Sequence, residues 1–183
     1  MLDRYLIDYC APTLASLKTA NLFTCNYNNW RALLAQIRFY NRQFSSKGII
    51  LIILRKRKNT ALIYVCRKSR LEQDLQKPET ALFLSECGYC CNDADNALKQ
   101  LKRRLFENRS FPHEIGLFLG YPLDDVIGFI RNEGRNCKYT GFWKVYCNEE
   151  EAARIFEKFR KCRDVYMRLW QQGKSVLQLT VAA

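Results

Sequence analysis

The spacing of apolar residues predicts one helix and one β-hairpin in the first third of the chain. In the helix, apolar residues recur every three or four positions after a capping Asn28 or Asn29, at Trp30, Leu33, Leu34, Ile37, Tyr40 and Phe44. An unbroken apolar run at residues 49–54, a basic turn at 55–60 and a second apolar run at 61–66 then predict the hairpin. Because residues 49–54 do not alternate with polar ones, we expect a central strand that is buried on both faces.

The segment before this helix predicts a short helix followed by a loop. Leu2, Leu6 and Tyr9 are spaced as on one helical face, and Pro12 with Thr13 should end that helix. Residues 10–23 contain a single charged residue, Lys18, and are expected to form a long loop.

Residues 111–130 predict two helices joined by a tight turn. Gly120, Tyr121 and Pro122 mark the turn, since glycine readily ends a helix and proline prevents its immediate continuation. Asp124 or Asp125 is expected to cap the second helix. Gly88-Tyr89 followed by Asp93 repeats the pattern on a smaller scale and suggests a second helical corner of the same kind.

The last third predicts two strands on either side of a long helix. Residues 141–147 alternate as a strand does, and residues 149–151 place three glutamates in the first turn of the helix that follows. Further helices are predicted over 70–77, 79–86 and 93–105. The whole pattern predicts an α+β fold, in which a small, mainly antiparallel sheet (hairpin about 49–66, strands about 141–147 and 176–181) is covered by helices in a single domain, residues 1–183.

The formal net charge of +12 favours acidic partners, among them nucleic acid, anionic lipid or an acidic protein. The same charge also has a simpler explanation, which is solubility. The longest continuous apolar run, residues 49–54, is too short to cross a bilayer, so no membrane span is expected. The chain begins without a signal-peptide pattern and has nine cysteines, an odd number, which favours free thiols in the cytoplasm.

Four segments resemble a known family. They are the segments at residues 10–14, 111–122 and 141–146 and the closing Leu-Thr-Val at 179–181. Together they are similar to a bacterial family catalogued as domain of unknown function 3793, which is common in anaerobic Firmicutes. Ser16, Thr19 and Cys147 depart from that family's pattern, which has glycine, proline and glycine there. The resemblance implies a single-domain cytoplasmic bacterial protein and brings no activity with it.

We expect a small-ligand site, or an accessory role, more than catalysis. The loop at residues 10–23 offers a thiol, a hydroxyl, an amide and an ammonium group, and the central corner offers an imidazole beside a helix start. A small anion or an acidic partner would suit these groups, and the sequence indicates no particular cofactor. The candidate binding residues are Cys10, Thr13, Lys18, Asn21, His113, Glu114, Tyr121 and Lys144.

Two alternatives concern the cysteines. Cys87, Cys90 and Cys91 contain one pair at metal-ligand spacing, but the second pair of a four-ligand site is missing, so no metal is predicted. A thiol–imidazole enzyme would pair Cys10 with His113.

Nucleic-acid binding is the remaining alternative. It would use basic segments at residues 55–58, 99–104 and 131–138, with the central corner acting as a helix-turn-helix. Asp124 and Asp125 argue against that use of the corner, because their carboxylates would face phosphate.

Overall fold

The structure, a computed structural model, describes residues 2–90, 93–107 and 110–182. The chain packs into two compact units. The sheet unit contains residues 1–70 and 161–183, and the helical unit contains residues 71–160. The prediction that they constitute a single domain stays a prediction.

The sheet unit contains a three-stranded antiparallel sheet in the order β1-β3-β2. Its elements are α1 (Leu2–Leu14), β1 (Ala20–Asn26), α2 (Trp30–Phe44), a 3₁₀ turn (Ser45–Lys47), β2 (Ile49–Lys56), β3 (Thr60–Arg67), the end of α8 (Glu149–Gln171) and α9 (Val176–Leu179). The predicted hairpin and the α+β class are therefore confirmed. The helix α2 begins as predicted, because the Asn29 side chain accepts a hydrogen bond from the Ala32 amide at 3.1 Å.

The central strand is β3, and the prediction that residues 49–54 form it is wrong. β2 lies at an edge, and only Ile49, Leu51 and Leu54 of its eight residues are buried. In β3, by contrast, every residue from Ile63 to Arg67 is buried. The strand β1 pairs along the other side of β3 and was predicted to be part of a loop. The sequence of β1 gives a weak strand signal, because only Ala20, Phe23 and Cys25 are buried and most of its other residues are polar.

The helix α1 continues through Pro12, contrary to prediction, and its residues 10–14 are buried. Leu2, Leu6, Cys10 and Leu14 form one fully buried stripe, and this burial offsets the hydrogen bond that proline removes.

The C-terminal segment forms the helix α9 where a strand at 176–181 was predicted. Ser175 and Gln178 form a reciprocal capping box at its start, and that signal outweighs the alternation of apolar residues.

The helical unit is built mainly from helices that turn at two glycine–tyrosine corners. Its elements are the end of α3 (Lys68–Leu75), α4 (Pro78–Glu86), α5 (Ala94–Glu107), α6 (Ile115–Phe118), α7 (Leu123–Arg131), β4 (Tyr139–Thr140), β5 (Lys144–Val145) and the start of α8. Gly88 and Gly120 both have φ near +80°, and the amide of the following tyrosine closes each preceding helix with a 2.9 Å bond. The two corners predicted from sequence therefore share one geometry.

The segment at residues 141–147 is not the single strand that was predicted. Only Lys144–Val145 forms a strand, paired with Tyr139–Thr140. The amides of Tyr146 and Cys147 instead donate to the Asp125 carboxylate, which removes them from any sheet ladder. Among the described residues, no helix is long and apolar enough to cross a membrane.

Candidate functional site

Four of the predicted site residues belong to the sheet unit: Cys10, Thr13 and Lys18 are buried there, and Asn21 is half-buried. The Thr13 hydroxyl donates to Asn21 Oδ1 at 2.6 Å, so the structure brings these two residues together. Lys18 is 4% exposed, and its ammonium donates to the Ala20 carbonyl. Cys10 is fully buried on α1, and this burial raises the pKa of its thiol well above the ordinary value, although the charge of Lys18 acts in the opposite direction.

The other four predicted residues belong to the helical unit. Glu114 is buried; its Oε1 accepts the Tyr89 hydroxyl at 3.0 Å and pairs with Arg104 at 3.3 Å. The Tyr121 hydroxyl donates to the Phe142 carbonyl at 3.1 Å, and burial raises the pKa of Tyr121 to about 12. These side chains therefore hold the corners in place.

His113 and Lys144 come together around one aromatic ring. The exposed imidazole of His113 lies 4.9 Å from the centre of the Phe129 ring, and the Lys144 ammonium lies 5.9 Å from it. Lys144 also donates to the Gly134 carbonyl at 2.5 Å. The expectation that all eight predicted residues line one pocket stays a prediction.

Asp124 and Asp125 do not cap α7, so the cap predicted from the sequence is wrong. The capping position is Pro122, and both aspartates lie in the first helical turn. Asp125 is 4% exposed and accepts three hydrogen bonds, from Trp143 Nε1 at 2.7 Å and from the amides of Tyr146 at 2.7 Å and Cys147 at 3.1 Å. It therefore fastens the turned segment after β5 to α7.

The cysteines of the helical unit do not assemble a metal centre within the described part of the chain. Cys87 is half-buried and Cys90 is exposed, while Cys91 lies outside the described residues. No group of three or more histidine, cysteine or carboxylate side chains is close enough to hold an ion there. None of the eight cysteines in the described ranges forms a disulfide bond.

A cleft of about 500 Å³ lies within the helical unit. Its walls come from α3, α4, the corner between α6 and α7, and the region where β5 leads into α8. The lining residues are Asp74, Lys77, Glu79, Thr80, Leu117, Gly120, Tyr121, Pro122, Leu123, Asp124, Asp125, Trp143, Cys147, Asn148, Glu151, Ala152 and Ile155.

The cleft is strongly acidic, with five carboxylates and one lysine in its lining. The lysine, Lys77, already pairs with Asp74 at 2.7 Å. Glu79 and Asp124 are exposed and have no cationic partner among the described side chains. The rings of Tyr121 and Trp143, both in the lining, stack with their centres 5.0 Å apart.

Sequence reasoning found only Tyr121 among the lining residues of this cleft. In the sequence, the acidic pair at 124–125 is an argument against DNA binding and gives no sign of a site. The remaining carboxylates come from positions 74, 79 and 151, and no local pattern shows that they converge.

The comparisons with known proteins give one finding. Neither the curated proteins nor the solved structures provide a match to this chain. The model of one family, described as protein of unknown function (DUF3793), matches residues 6–180, which is nearly the whole chain. The resemblance expected from four short segments is therefore confirmed, and the chain belongs to the DUF3793 family.

Proposed function

We propose that this protein is a binding module whose cleft in the helical unit takes a small organic cation. One observation carries the proposal: a cleft of about 500 Å³ has five carboxylates and one lysine in its lining, in a chain whose net charge is +12. Its volume lies within the range of about 300–1,000 Å³ that is typical of small-molecule sites.

The local charge decides which ligand is favoured. The sequence predicted a small anion from the groups of the 10–23 loop and the central corner, but an anion entering this cleft would approach Asp124 and Glu79. An ammonium or guanidinium group would instead gain charge-assisted hydrogen bonds from those carboxylates. Tyr121 and Trp143 supply apolar and aromatic surface for the carbon skeleton of such a ligand.

Binding is favoured over catalysis because the nucleophile in the cleft is poorly activated. Cys147 lines the cleft and is exposed, yet desolvation and the charges of Asp124 and Asp125 raise the pKa of its thiol. The lone histidine, His113, is not among the lining residues. The role therefore proposed is recognition of a ligand, with the cytoplasmic location still a prediction.

Isothermal titration calorimetry with spermidine, agmatine and tetramethylammonium, and with phosphate and citrate as the opposite class, tests the proposal. We expect at least one of the cations to bind, and the double variant Asp124→Asn/Glu79→Gln to weaken that binding by at least about tenfold, equivalent to about 1.4 kcal/mol. The matched control is Glu133→Gln, in the same unit but outside the cleft, which should leave affinity unchanged.

Two outcomes would refute the proposal. One is the absence of binding by all three cations. The other is binding of a cation that the control variant weakens as much as the cleft variant does, because the carboxylates of the cleft would then have no special role.

A further inference from the structure

The charges of this chain are divided very unevenly between its two units. The sheet unit contains 17 lysines and arginines against three acidic residues, whereas the helical unit contains 13 against 15. The net charge of +12 therefore arises in the sheet unit alone. Solubility does not require such a division, since both signs of charge interspersed over the whole surface serve that purpose.

The imbalance is greatest between residues 9 and 71, where 12 lysines and arginines occur and no aspartate or glutamate. Three of these cations form hydrogen bonds within the sheet unit. The head groups of Lys18, Lys47 and Arg67 donate to backbone carbonyls, Lys47 to that of Leu177 at 2.8 Å. These bonds stabilise the fold. Most of the other nine cations lie exposed at the surface.

The helix α2 carries a stripe of three exposed arginines. Arg31, Arg38 and Arg42 are separated by seven and four positions, so they lie on one face over about 16 Å of helix. The opposite face is buried in the core through Leu33 and Ile37. None of the three arginines has a carboxylate partner in the described ranges 2–90, 93–107 and 110–182.

The basic turn between β2 and β3 is fastened to the start of this helix. The Tyr27 hydroxyl donates to the Arg57 carbonyl at 2.6 Å, and the Tyr27 amide donates to the Asn59 carbonyl at 3.0 Å. The Lys56 ammonium lies 4.5 Å from the centre of the Trp30 ring, and Trp30 immediately precedes Arg31 in the sequence. The turn and the start of the helix are thus held together as one preorganised surface.

We propose that this surface, the basic face, binds the phosphodiester backbone of nucleic acid. The basic face consists of Arg31, Arg38, Arg42 and residues 55–58. Five of its seven cations are arginines, whose planar guanidinium matches phosphate oxygens in a two-pronged geometry. A row of like charges without intervening carboxylates matches a uniformly charged polymer better than a folded acidic protein, which presents both signs of charge.

The surroundings of the basic face also favour nucleic acid over a membrane. Interfacial helices insert a continuous apolar band into lipid. Between residues 30 and 60 the only large apolar side chain that is markedly exposed is Phe39, at 50%. One exposed ring beside Arg38 is instead suited to stacking on an unpaired base.

The helix-turn-helix alternative does not contribute to this proposal. The central corner lies in the helical unit, as do the other two basic segments predicted from sequence. Several arginines of those segments pair with glutamates, among them Arg103 with Glu107 and Arg135 with Glu133. Of the three segments, only residues 55–58 belong to the basic face.

Fluorescence anisotropy with labelled single-stranded and duplex oligonucleotides, over a range of salt concentrations, tests the proposal. If the basic face engages about four to six phosphates, the logarithm of the association constant should fall with the logarithm of salt with a slope of about −3 to −5. Phosphatidylserine–phosphatidylcholine vesicles and polyglutamate serve as the competing anionic probes.

The decisive comparison is between two double variants with the same net charge. Arg38→Glu/Arg42→Glu on the basic face should weaken binding by at least about a hundredfold, because the phosphates that these two arginines neutralise would no longer release counterions. Arg135→Glu/Arg154→Glu should weaken binding by less than about threefold, because these arginines contact no phosphate. Arg135 and Arg154 are well-exposed arginines of the helical unit. The charge-preserving Arg38→Lys/Arg42→Lys, at two exposed positions, should show an intermediate loss from the missing two-pronged contacts.

Several results would overturn the proposal. Equal weakening by the two charge-reversal variants would mean that overall charge, and not this face, causes binding. Absence of binding to both oligonucleotides at low salt would remove nucleic acid as the partner, and binding of vesicles or polyglutamate alone would assign the face to lipid or to an acidic protein. None of these results bears on the cleft, since calorimetry with organic cations tests that site independently.

Discussion

Replacing Asp125 by asparagine should destabilise the helical unit although the two side chains have nearly the same shape. All three partners of this buried carboxylate are donors: Trp143 Nε1 on one oxygen, and the amides of Tyr146 and Cys147 on the other. An amide has only one oxygen. Whichever way the new side chain turned, its NH₂ group would face at least one N–H group, and no rotation could satisfy both sides.

The magnitude follows from the contacts that are lost. Hydrogen bonds to a charged group contribute about 1.5–3 kcal/mol each, and a buried donor without a partner costs about 1–3 kcal/mol. We therefore expect Asp125→Asn to lower the free energy of unfolding by about 2–4 kcal/mol, a large part of the 5–15 kcal/mol typical of a domain. Asp124→Asn, next in sequence but exposed, should cost less than about 1 kcal/mol, from the helix dipole alone.

Urea denaturation followed by far-UV circular dichroism measures both variants, and a double-mutant cycle isolates the cause. In a Trp143→Phe background the opposing indole donor is absent, so Asp125→Asn should become less costly by about 1–2 kcal/mol. Exchange of the Trp143 indole proton with solvent, followed by NMR, should accelerate in Asp125→Asn. The reasoning fails if Asp125→Asn is as stable as the wild type, or if its cost is the same in both backgrounds.

Three further predictions concern the interior. Arg67→Met should lower the free energy of unfolding, measured by urea denaturation, by about 3–5 kcal/mol. The buried guanidinium donates to the carbonyls of four residues in three segments, and methionine would leave these carbonyls without a donor. A loss below about 1 kcal/mol would contradict this reasoning. Gly141→Ala should lower the melting temperature by calorimetry, since its new Cβ would lie 2.1 Å from the Phe156 ring and overpacking costs about 1–3 kcal/mol. Iodoacetamide labelling followed by mass spectrometry should modify exposed Cys90 long before buried Cys10, whose raised pKa keeps the thiol protonated; early labelling of Cys10 would instead support a thiol enzyme.

The elements that could be predicted from sequence are those whose own residues contain the signal. The helix α2 has a capping asparagine and a clear apolar stripe, and the glycine–tyrosine corners need a left-handed residue that glycine provides. The strand β1 was missed because its place depends on the partner β3, 40 residues further along the chain. The predicted end of α1 at Pro12 is wrong because burial of residues 10–14, which depends on the tertiary fold, outweighs the local cost of proline in a helix.

The candidate site was less predictable for the same reason. Seven of the eight residues chosen from the sequence have polar groups or rings engaged in contacts within their own unit, since a buried threonine or glutamate needs a partner wherever it lies. Four of the five carboxylates of the cleft, by contrast, occur in ordinary surface patterns, at positions 74, 79, 124 and 151. These carboxylates form a site only because the packing of α3, α4, α7 and α8 brings them to one cleft. No pattern in the local sequence indicates that packing.

The distribution of charge gives the net value of +12 a meaning that the total alone lacks. Summed over the chain, it is compatible with solubility and with any acidic partner. Counted for each unit, the charges show a sheet unit with only three acidic residues and a helical unit whose cleft is lined by carboxylates. Screening limits the reach of exposed charges to about 10 Å at 0.1 M salt, so each ligand responds to the charges near it and not to the total. The two proposals therefore predict opposite ligand charges for the two units: the same chain should bind an organic cation in the cleft and a nucleic-acid backbone on a face whose affinity falls steeply with salt.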